Sequence, residues 1–242
     1  MAVIYIIIYS LYGHIKTLAE EIKKGIEASG TGSTATIYQV PETLPAEVIT
    51  KMHGVKFDLP IIDASELKNA DGFLFGLPTR FGNVPAQIKA FFDSTGGEWV
   101  SGALKEKFAG TFFSTGSQHG GQETTAFTSI TWFVHQGITY VPLGYTPELQ
   151  DNTELVGGGP WEKNVARTQG DRFAKIVSAY VKGNSFFKAT AAYATTSTTN
   201  DNTRTQPTEN TTNTNTNTAT NNNTSNSASN IVAKCLVLLW KF

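Results

Sequence analysis

Three short stretches of this 242-residue chain combine hydroxyls, glycines and polar side chains as a ligand site would. The first is Ser10-Leu11-Tyr12-Gly13-His14, which opens directly onto helical spacing at Ile15. It matches neither G-x-G-x-x-G nor G-x-x-x-x-G-K-[ST]. It still sets a hydroxyl, a glycine and backbone N–H groups at a helix N-terminus, which can hold a phosphate monoester without a lysine. The absence of Lys and Arg from the loop disfavours a nucleoside triphosphate with its metal. An ordinary tight strand-to-helix turn would use the same residues, so both alternatives stay open. The second stretch, Pro78-Thr79-Arg80-Phe81-Gly82-Asn83, joins an arginine and an aromatic to backbone donors on a Pro/Gly frame. Such groups suit a flat heteroaromatic ring with polar edges, or else form a structural turn with Arg80 on the surface. The third, Ser114-Thr115-Gly116-Ser117-Gln118-His119-Gly120-Gly121-Gln122-Glu123, has the glycines that let backbone approach a ring closely. A mobile surface loop is its plainer alternative.

These stretches need elements to carry them. Val3 to Tyr9 is a continuous apolar, β-branched run, the pattern of a strand buried on both faces. Ile15, Leu18, Ala19, Ile22 and Ile26 follow helical spacing, with Gly30 as a stop. Strands are expected at Thr34–Val40, Gly72–Leu77, Phe108–Ser114 and Ile138–Leu143. Helices are expected at Val84–Asp93, with Pro85 in the first turn, at Glu123–Gln136 capped by Gly137, and at Val165–Val181. Strands separated by helices imply a mostly parallel sheet covered on both faces. Five of them fit half of a dinucleotide-binding fold or the order 2-1-3-4-5, and either places ligands at the carboxyl ends of the strands.

Composition sets further bounds. The net charge of −1 offers no bulk electrostatics for nucleic acid or an acidic membrane. One cysteine, Cys235, excludes a disulfide framework. No cluster of His, Cys, Asp or Glu has metal-ligand spacing, so no metal is expected, and no nucleophile elbow or carboxylate pair stands out. His53 lies in a polar stretch and reads as solvated. The N-terminal run is broken too early for a signal peptide, and no run reaches the ~20 apolar residues of a membrane helix. A soluble, cytoplasmic protein is the default. Three segments are expected: a folded domain over 1–183, a disordered Thr/Asn-rich linker over 184–230, and a short apolar tip over 231–242. The tip, with Lys234, Trp240 and Lys241, could lie at a membrane interface. Cys235 could be lipidated there, and a tail with no role is the equal alternative.

Taken together, S-L-Y-G-H-I, P-E-T-L-P, G-L-P-T-R-F-G-N, D-S-T-G-G-E-W-V-S-G-A-L, F-S-T-G-S-Q-H-G-G-Q-E-T and V-P-L-G-Y resemble the WrbA family of flavodoxin-like NAD(P)H:quinone oxidoreductases over about residues 2–182. The resemblance implies an α/β fold with a doubly wound five-stranded parallel sheet, order 2-1-3-4-5, in three layers. It implies FMN, NADH or NADPH as hydride donor, and quinones reduced by two electrons in ping-pong fashion with an antioxidant role. It also implies a homo-oligomer, dimer or tetramer, and, from the fungal branch, association with the inner face of the plasma membrane. By motif, Ser10, Tyr12, Gly13, His14 and Ile15 would hold the phosphate. Pro78, Thr79, Arg80, Phe81, Gly82 and Asn83 would meet the isoalloxazine, where Arg80 would favour an anionic reduced ring. Ser114, Thr115, Gly116, Ser117, Gln118, His119 and Gly120 would line another edge. His135 falls at a ring-contacting position, and Tyr12 and Trp99 at substrate-facing ones, although a tryptophan such as Trp99 equally often packs.

Two departures from the family pattern stand out. The third loop is one residue longer than the common bacterial S-T-G-T-G-G-G-Q-E. After Gly157-Gly158-Gly159-Pro160-Trp161 a segment of A-G-x-D-G-S-R-x-P-S type is absent, which bears on oligomer stability and nicotinamide affinity. A non-catalytic flavin-binding scaffold at the membrane is the competing functional alternative.

Overall fold

The computed structural model describes residues 1–116, 123–144 and 163–197, with the side chains of the last helix described as far as Ser185. All lie in one compact unit, Met1–Thr198. The expected linker beyond 197 and the tip with Cys235 fall outside the described residues.

The β1 strand, Val3–Ile8, lies between β2, Thr34–Gln39, and β3, Gly72–Pro78. β4, Phe108–Ser114, and β5, Thr139–Tyr140, complete a parallel sheet of order β2-β1-β3-β4-β5. The chain therefore reverses its winding between β1 and β3, which opens a crevice at the carboxyl ends of the strands.

The apolar run of β1 is explained by its two faces. Tyr5, Ile7 and Tyr9 enter one core with Phe73, Phe75 and Leu77. Ile4, Ile6 and Ile8 enter a second core with Leu74 and Phe112. On the first face lie α3, Ala86–Ser94, through Ile88, Phe91 and Phe92, and α5, Glu123–Gln136, through Phe133. Trp132 of α5 stacks on Phe92 at 4.2 Å between ring centroids. On the second face lie α1, His14–Ala28, through Ile15, Leu18, Ile22 and Ile26, and α6, Lys163–Ser197, through Phe173 and Val177.

Several expected boundaries shift for local reasons. The third helix does not begin at Val84, and Pro85 lies outside its first turn. Pro85 is instead the N-cap, with ψ 159°, and its carbonyl accepts the Lys89 N–H at 3.0 Å. A residue before proline is pushed toward extended backbone, which keeps Val84 out of the helix. The β5 strand stops at Tyr140, not Leu143. Val141 still donates to the Ala109 carbonyl at 2.7 Å, but the next carbonyl of β4 in this ladder, that of Thr111, accepts from Gln169 Nε2 at 2.9 Å instead. The last helix runs past Val181 to Ser197, so residues 184–197, expected within the disordered linker, are helical, through an alanine-bearing stretch that favours helix. Two short helices were not anticipated, α2 over Ala46–Lys51 and α4 over Gly96–Ser101. Nor was a 3-10 turn at Ala64–Asn69. All three are too short to show periodicity.

The two helices on the second face cross at glycines. A methyl group on Gly25 of α1 would lie 2.0 Å from the Arg167 carbonyl oxygen of α6. One on Gly170 would lie 2.1 Å from the Ile22 carbonyl oxygen of α1. The Glu21 carboxylate, 5% exposed, ties the crossing by accepting from Arg167 Nε at 2.5 Å and Lys24 Nζ at 2.8 Å. Gly25→Ala and Gly170→Ala should each destabilise by about 1–3 kcal/mol, the scale of overpacking. Gly183→Ala, with nothing within 4 Å, should be neutral or stabilise by up to ~1 kcal/mol. Urea-unfolding midpoints of the three variants test the ordering.

Candidate functional site

Ser10–Gly13 leaves β1 and turns into α1 at the switch point. Gly13 is the N-cap in left-handed backbone, φ 95°. Its N–H donates to Ser10 Oγ at 3.2 Å, and its carbonyl accepts the Thr17 N–H at 3.0 Å. Ser10 Oγ is used as an acceptor here, so its own O–H proton can serve a ligand. The helix has no side-chain cap. The amides of a first turn have no intrahelical carbonyls, and the dipole of a 15-residue helix adds partial positive charge there. Buried Leu11 and Ile15 pin the loop from either side, and the Leu11 carbonyl accepts the Val55 N–H at 2.8 Å. Tyr12 is 51% exposed and His14 is exposed beside it. This donor set fits a dianionic phosphate.

The second loop is a tight hairpin. Arg80 and Asn83 exchange N–H···O=C bonds at 2.9 and 3.0 Å, with Phe81 (φ 53°) and Gly82 (φ 76°) at the turn positions. Positive φ at both positions is the geometry of a type I′ turn, which favours Asn-Gly. Phe81 occupies it at a steric cost and projects its ring fully into solvent. A methyl on Gly82 would lie 2.6 Å from Thr124 Oγ1, so the hairpin sits against the first turn of α5. Pro78 pairs with Ser114 in register, the Thr79 N–H donates to the Ser114 carbonyl at 2.9 Å, and the hydroxyls of Thr79 and Thr125 are 2.9 Å apart. The second and third loops thus start from adjacent strand ends. Ser114 and Thr115 are half-buried and Gly116 exposed. Ser117, Gln118, His119 and Gly120 lie outside the described residues, as do the extra residue of that loop and the shortened region after Trp161.

Trp99 and His135 do not join these loops within one chain. Helix α5 starts beside β4's carboxyl end and runs back along the sheet, so its 14 residues carry His135 about 20 Å away at 1.5 Å per residue. There the Gly137 carbonyl accepts the Glu106 N–H at 3.1 Å, just ahead of β4. Trp99 is near the same end: Thr95, one turn before it, accepts from Gln136 Nε2 at 2.9 Å and Trp132 Nε1 at 3.3 Å. Trp99 is 59% exposed, among other exposed apolar residues of α4 and α5 that include Val100, Phe127 and Val134.

One group near the loops had no separate signal in the sequence, where Glu42 stood only inside P-E-T-L-P. Its carboxylate accepts from the Tyr9 hydroxyl at 3.0 Å, Gln87 Nε2 at 2.7 Å, and the N–H groups of Thr43 at 2.9 Å and Leu44 at 3.0 Å. Partial burial pushes this carboxyl up, but the donors, led by Gln87, outweigh it and hold it below the usual carboxylate range. Burial, and then the bond to Glu42, raise the Tyr9 phenol well above its ordinary value, while Arg80 pulls it the other way.

A pocket of about 180 Å³ lies before β3 and β4, lined by Asp71, Glu106, Lys107 and Tyr180 among others. Lys107 there donates to the carbonyls of Lys68, at 3.0 Å, and Ala70. None of the expected site residues lines this pocket. No group of three or more His, Cys, Asp or Glu is placed to hold a metal ion among the described residues.

Comparison with known proteins agrees with this geometry. The flavodoxin family model matches residues 6–130. The chain is 46% identical over 194 residues to NAD(P)H quinone oxidoreductase PST2 of Candida albicans, covering 72% of this chain and 96% of that one. It is 53% identical over 161 residues to quinone-oxidoreductase QR2 of Triphysaria versicolor, covering 65% of this chain and 78% of that one. Among solved structures, a WrbA-like flavodoxin from Agrobacterium tumefaciens superimposes with a TM-score of 0.51 at 25% identity, over 73% of this chain and 98% of that one. With the 2-1-3-4-5 sheet and the loops at its switch point, these likenesses mean that the chain belongs to the WrbA family of flavodoxin-like NAD(P)H:quinone oxidoreductases.

Proposed function

We propose that this protein is an FMN-dependent NAD(P)H:quinone oxidoreductase. The observation that carries the proposal is the uncapped N-terminus of α1, with Gly13 and the Ser10 hydroxyl, set beside the Phe81 hairpin at the sheet's switch point. FMN, when bound, accepts a hydride from a nicotinamide and passes two electrons to a quinone, chemistry that belongs to the cofactor. Quinone reduction without a one-electron intermediate supports a role against oxidative stress.

The chain's own groups bind and orient. Ser10, Gly13, Ile15 and their neighbours hold the phosphate by backbone donors and the helix field. Phe81 supplies a flat apolar surface, Thr79 and Arg80 polar contacts, and Ser114 to Gly120 the remaining edge. Arg80 favours negative charge on the reduced ring. Tyr12 faces the nicotinamide.

Trp99 and His135 lie at the opposite end of the sheet, so the ring each of them meets belongs to a neighbouring copy. The exposed apolar residues of α4 and α5 are the surface for that association, as a dimer or tetramer. Residues 1–183 form the catalytic domain, and the Thr/Asn-rich segment and apolar tip carry any attachment to the plasma membrane. No helix among the described residues is long and apolar enough to cross a membrane. No observation favours a non-catalytic scaffold.

Three outcomes test the proposal. Full-length protein purified with FMN should be yellow and oxidise NADH or NADPH in the presence of benzoquinone. A flavin-loaded chain with no quinone-dependent turnover would reject the activity. Phe81→Asn should relieve turn strain and raise Tm by roughly 2–4 °C, about 1 kcal/mol, while weakening FMN binding about tenfold. Calorimetry and flavin fluorescence read the two effects separately. Val134→Glu should shift the protein toward monomer in light scattering and cut turnover without loss of secondary structure.

A further inference from the structure

The Glu42 network joins three elements at the carboxyl ends of the strands. Tyr9, 6% exposed, immediately precedes Ser10 of the first loop. Gln87, 5% exposed, lies in the first turn of α3, onto which the Arg80 hairpin leads. Thr43 and Leu44 follow β2. Glu42 therefore couples the phosphate loop to the ring loop through the buried side chains of Tyr9 and Gln87.

Hydrogen bonding alone does not require a charge at this position. Oε1 accepts from Gln87, Thr43 and Leu44, while Oε2 accepts from the Tyr9 hydroxyl alone. A glutamine could keep its oxygen on the three N–H donors and turn its NH₂ toward Tyr9. A phenol hydroxyl can accept as well as donate. Every bond would survive, with the one to Tyr9 reversed. A residue that keeps a full negative charge where a neutral one satisfies the same partners is placed for its field. Glu42 stays ionised at neutral pH, because its donors hold its carboxyl low. It acts on Tyr9 from one side while the Arg80 cation acts with opposite sign.

We propose that Glu42 is a positioning residue whose negative charge, held behind the two flavin loops by Tyr9 and Gln87, offsets Arg80 and lowers the reduction potential of the bound flavin. The proposal rests on FMN occupying those loops. A negative charge behind the loops that would hold a reduced, anionic ring would disfavour that state, while Arg80 in the ring loop would favour it. A purely mechanical clamp would weaken oxidised and reduced flavin binding alike and leave the potential where it was.

The test uses the full chain loaded with FMN, as wild type, Glu42→Gln and Tyr9→Phe. Midpoint potentials come from dye-equilibrated reductive titration, and FMN dissociation constants from fluorescence. Glu42→Gln should raise the two-electron midpoint by about 30 mV, a tenfold shift toward reduced flavin. Affinity for oxidised FMN should stay within about threefold. Tyr9→Phe, which keeps the charge and loses the hydroxyl, should leave the midpoint near wild type. A Glu42→Gln midpoint unchanged from wild type would overturn the assignment. So would a Glu42→Gln chain that fails to fold or bind FMN, because the charge would then be structural. Wild-type protein that takes up no FMN would overturn the oxidoreductase proposal as well, so the two failures are distinguishable.

Discussion

Helix α1 can aim its first turn at the strand ends only because it is clamped on both sides. Beneath it, Ile15, Leu18, Ile22 and Ile26 lie in the core with Ile4, Ile6 and Ile8 of β1. Against it, α6 approaches until the backbone around Gly25 and Gly170 is in contact. Side chains larger than hydrogen at either glycine would push the helices apart. The same tightness recurs at Gly76 of β3, where a methyl would lie 2.6 Å from both Ile15 Cγ2 and a ring carbon of Phe112. Ile15 is the first apolar residue of α1, so this contact fixes where the helix starts as well as how it lies. The fixed start is what gives Gly13 and Ser10 a defined place at the crevice.

The cost of building the crevice is concentrated in a few residues. Across the sheet the pattern is cheap: apolar side chains on alternating faces, parallel ladders and helices of ordinary propensity. At the carboxyl ends the economy stops. Phe81 holds left-handed backbone that suits Asn or Gly. Its ring is wholly exposed, although burial is what usually recompenses an aromatic. Glu42 draws together two buried side chains and two backbone amides around one charge. Departures from local consistency of this kind gather where a protein does something other than fold.

Much of this was legible in the sequence, for physical reasons that also mark the limits. The β1 run could be read because burial on both faces removes polar residues from a strand, and α1 because its apolar residues recur every turn. Phe108–Ser114 and Glu123–Gln136 agree with expectation at both ends. The end of α5 was fixed by Gly137, which adopts φ 73° with Ile138 N–H on the Phe133 carbonyl at 2.9 Å. The missed elements, α2, α4 and the 3-10 turn, are each six residues long and carry no period. Proline chemistry was read one step out at Pro85, and the early end of β5 depends on Gln169, 58 residues from its partner Thr111 in sequence. Glu42 was invisible as a site because its partners, Tyr9 and Gln87, are 33 and 45 residues away in sequence.

The placement of Trp99 and His135 is of a different order. Motif position ties a residue to a role, but a role can be discharged on another copy of the chain. In a doubly wound fold every helix returns from the site end of the sheet to the other end, so a residue late in α5 is carried away from its own crevice by the length of the helix. The loop after α3 shares that fate, because α4 packs against α5 and the 3-10 turn ahead of β3. If both residues serve a flavin, two opposite ends of the same fold meet in the assembly, and each crevice is completed by the far end of a neighbour. Association and ligand geometry are then one problem. On the proposed assembly a surface change on α4 or α5 would act on the site as directly as a change in the loops, and the exposed Trp99, Val100 and Val134 would be the counterpart of the loops at the other end of the sheet.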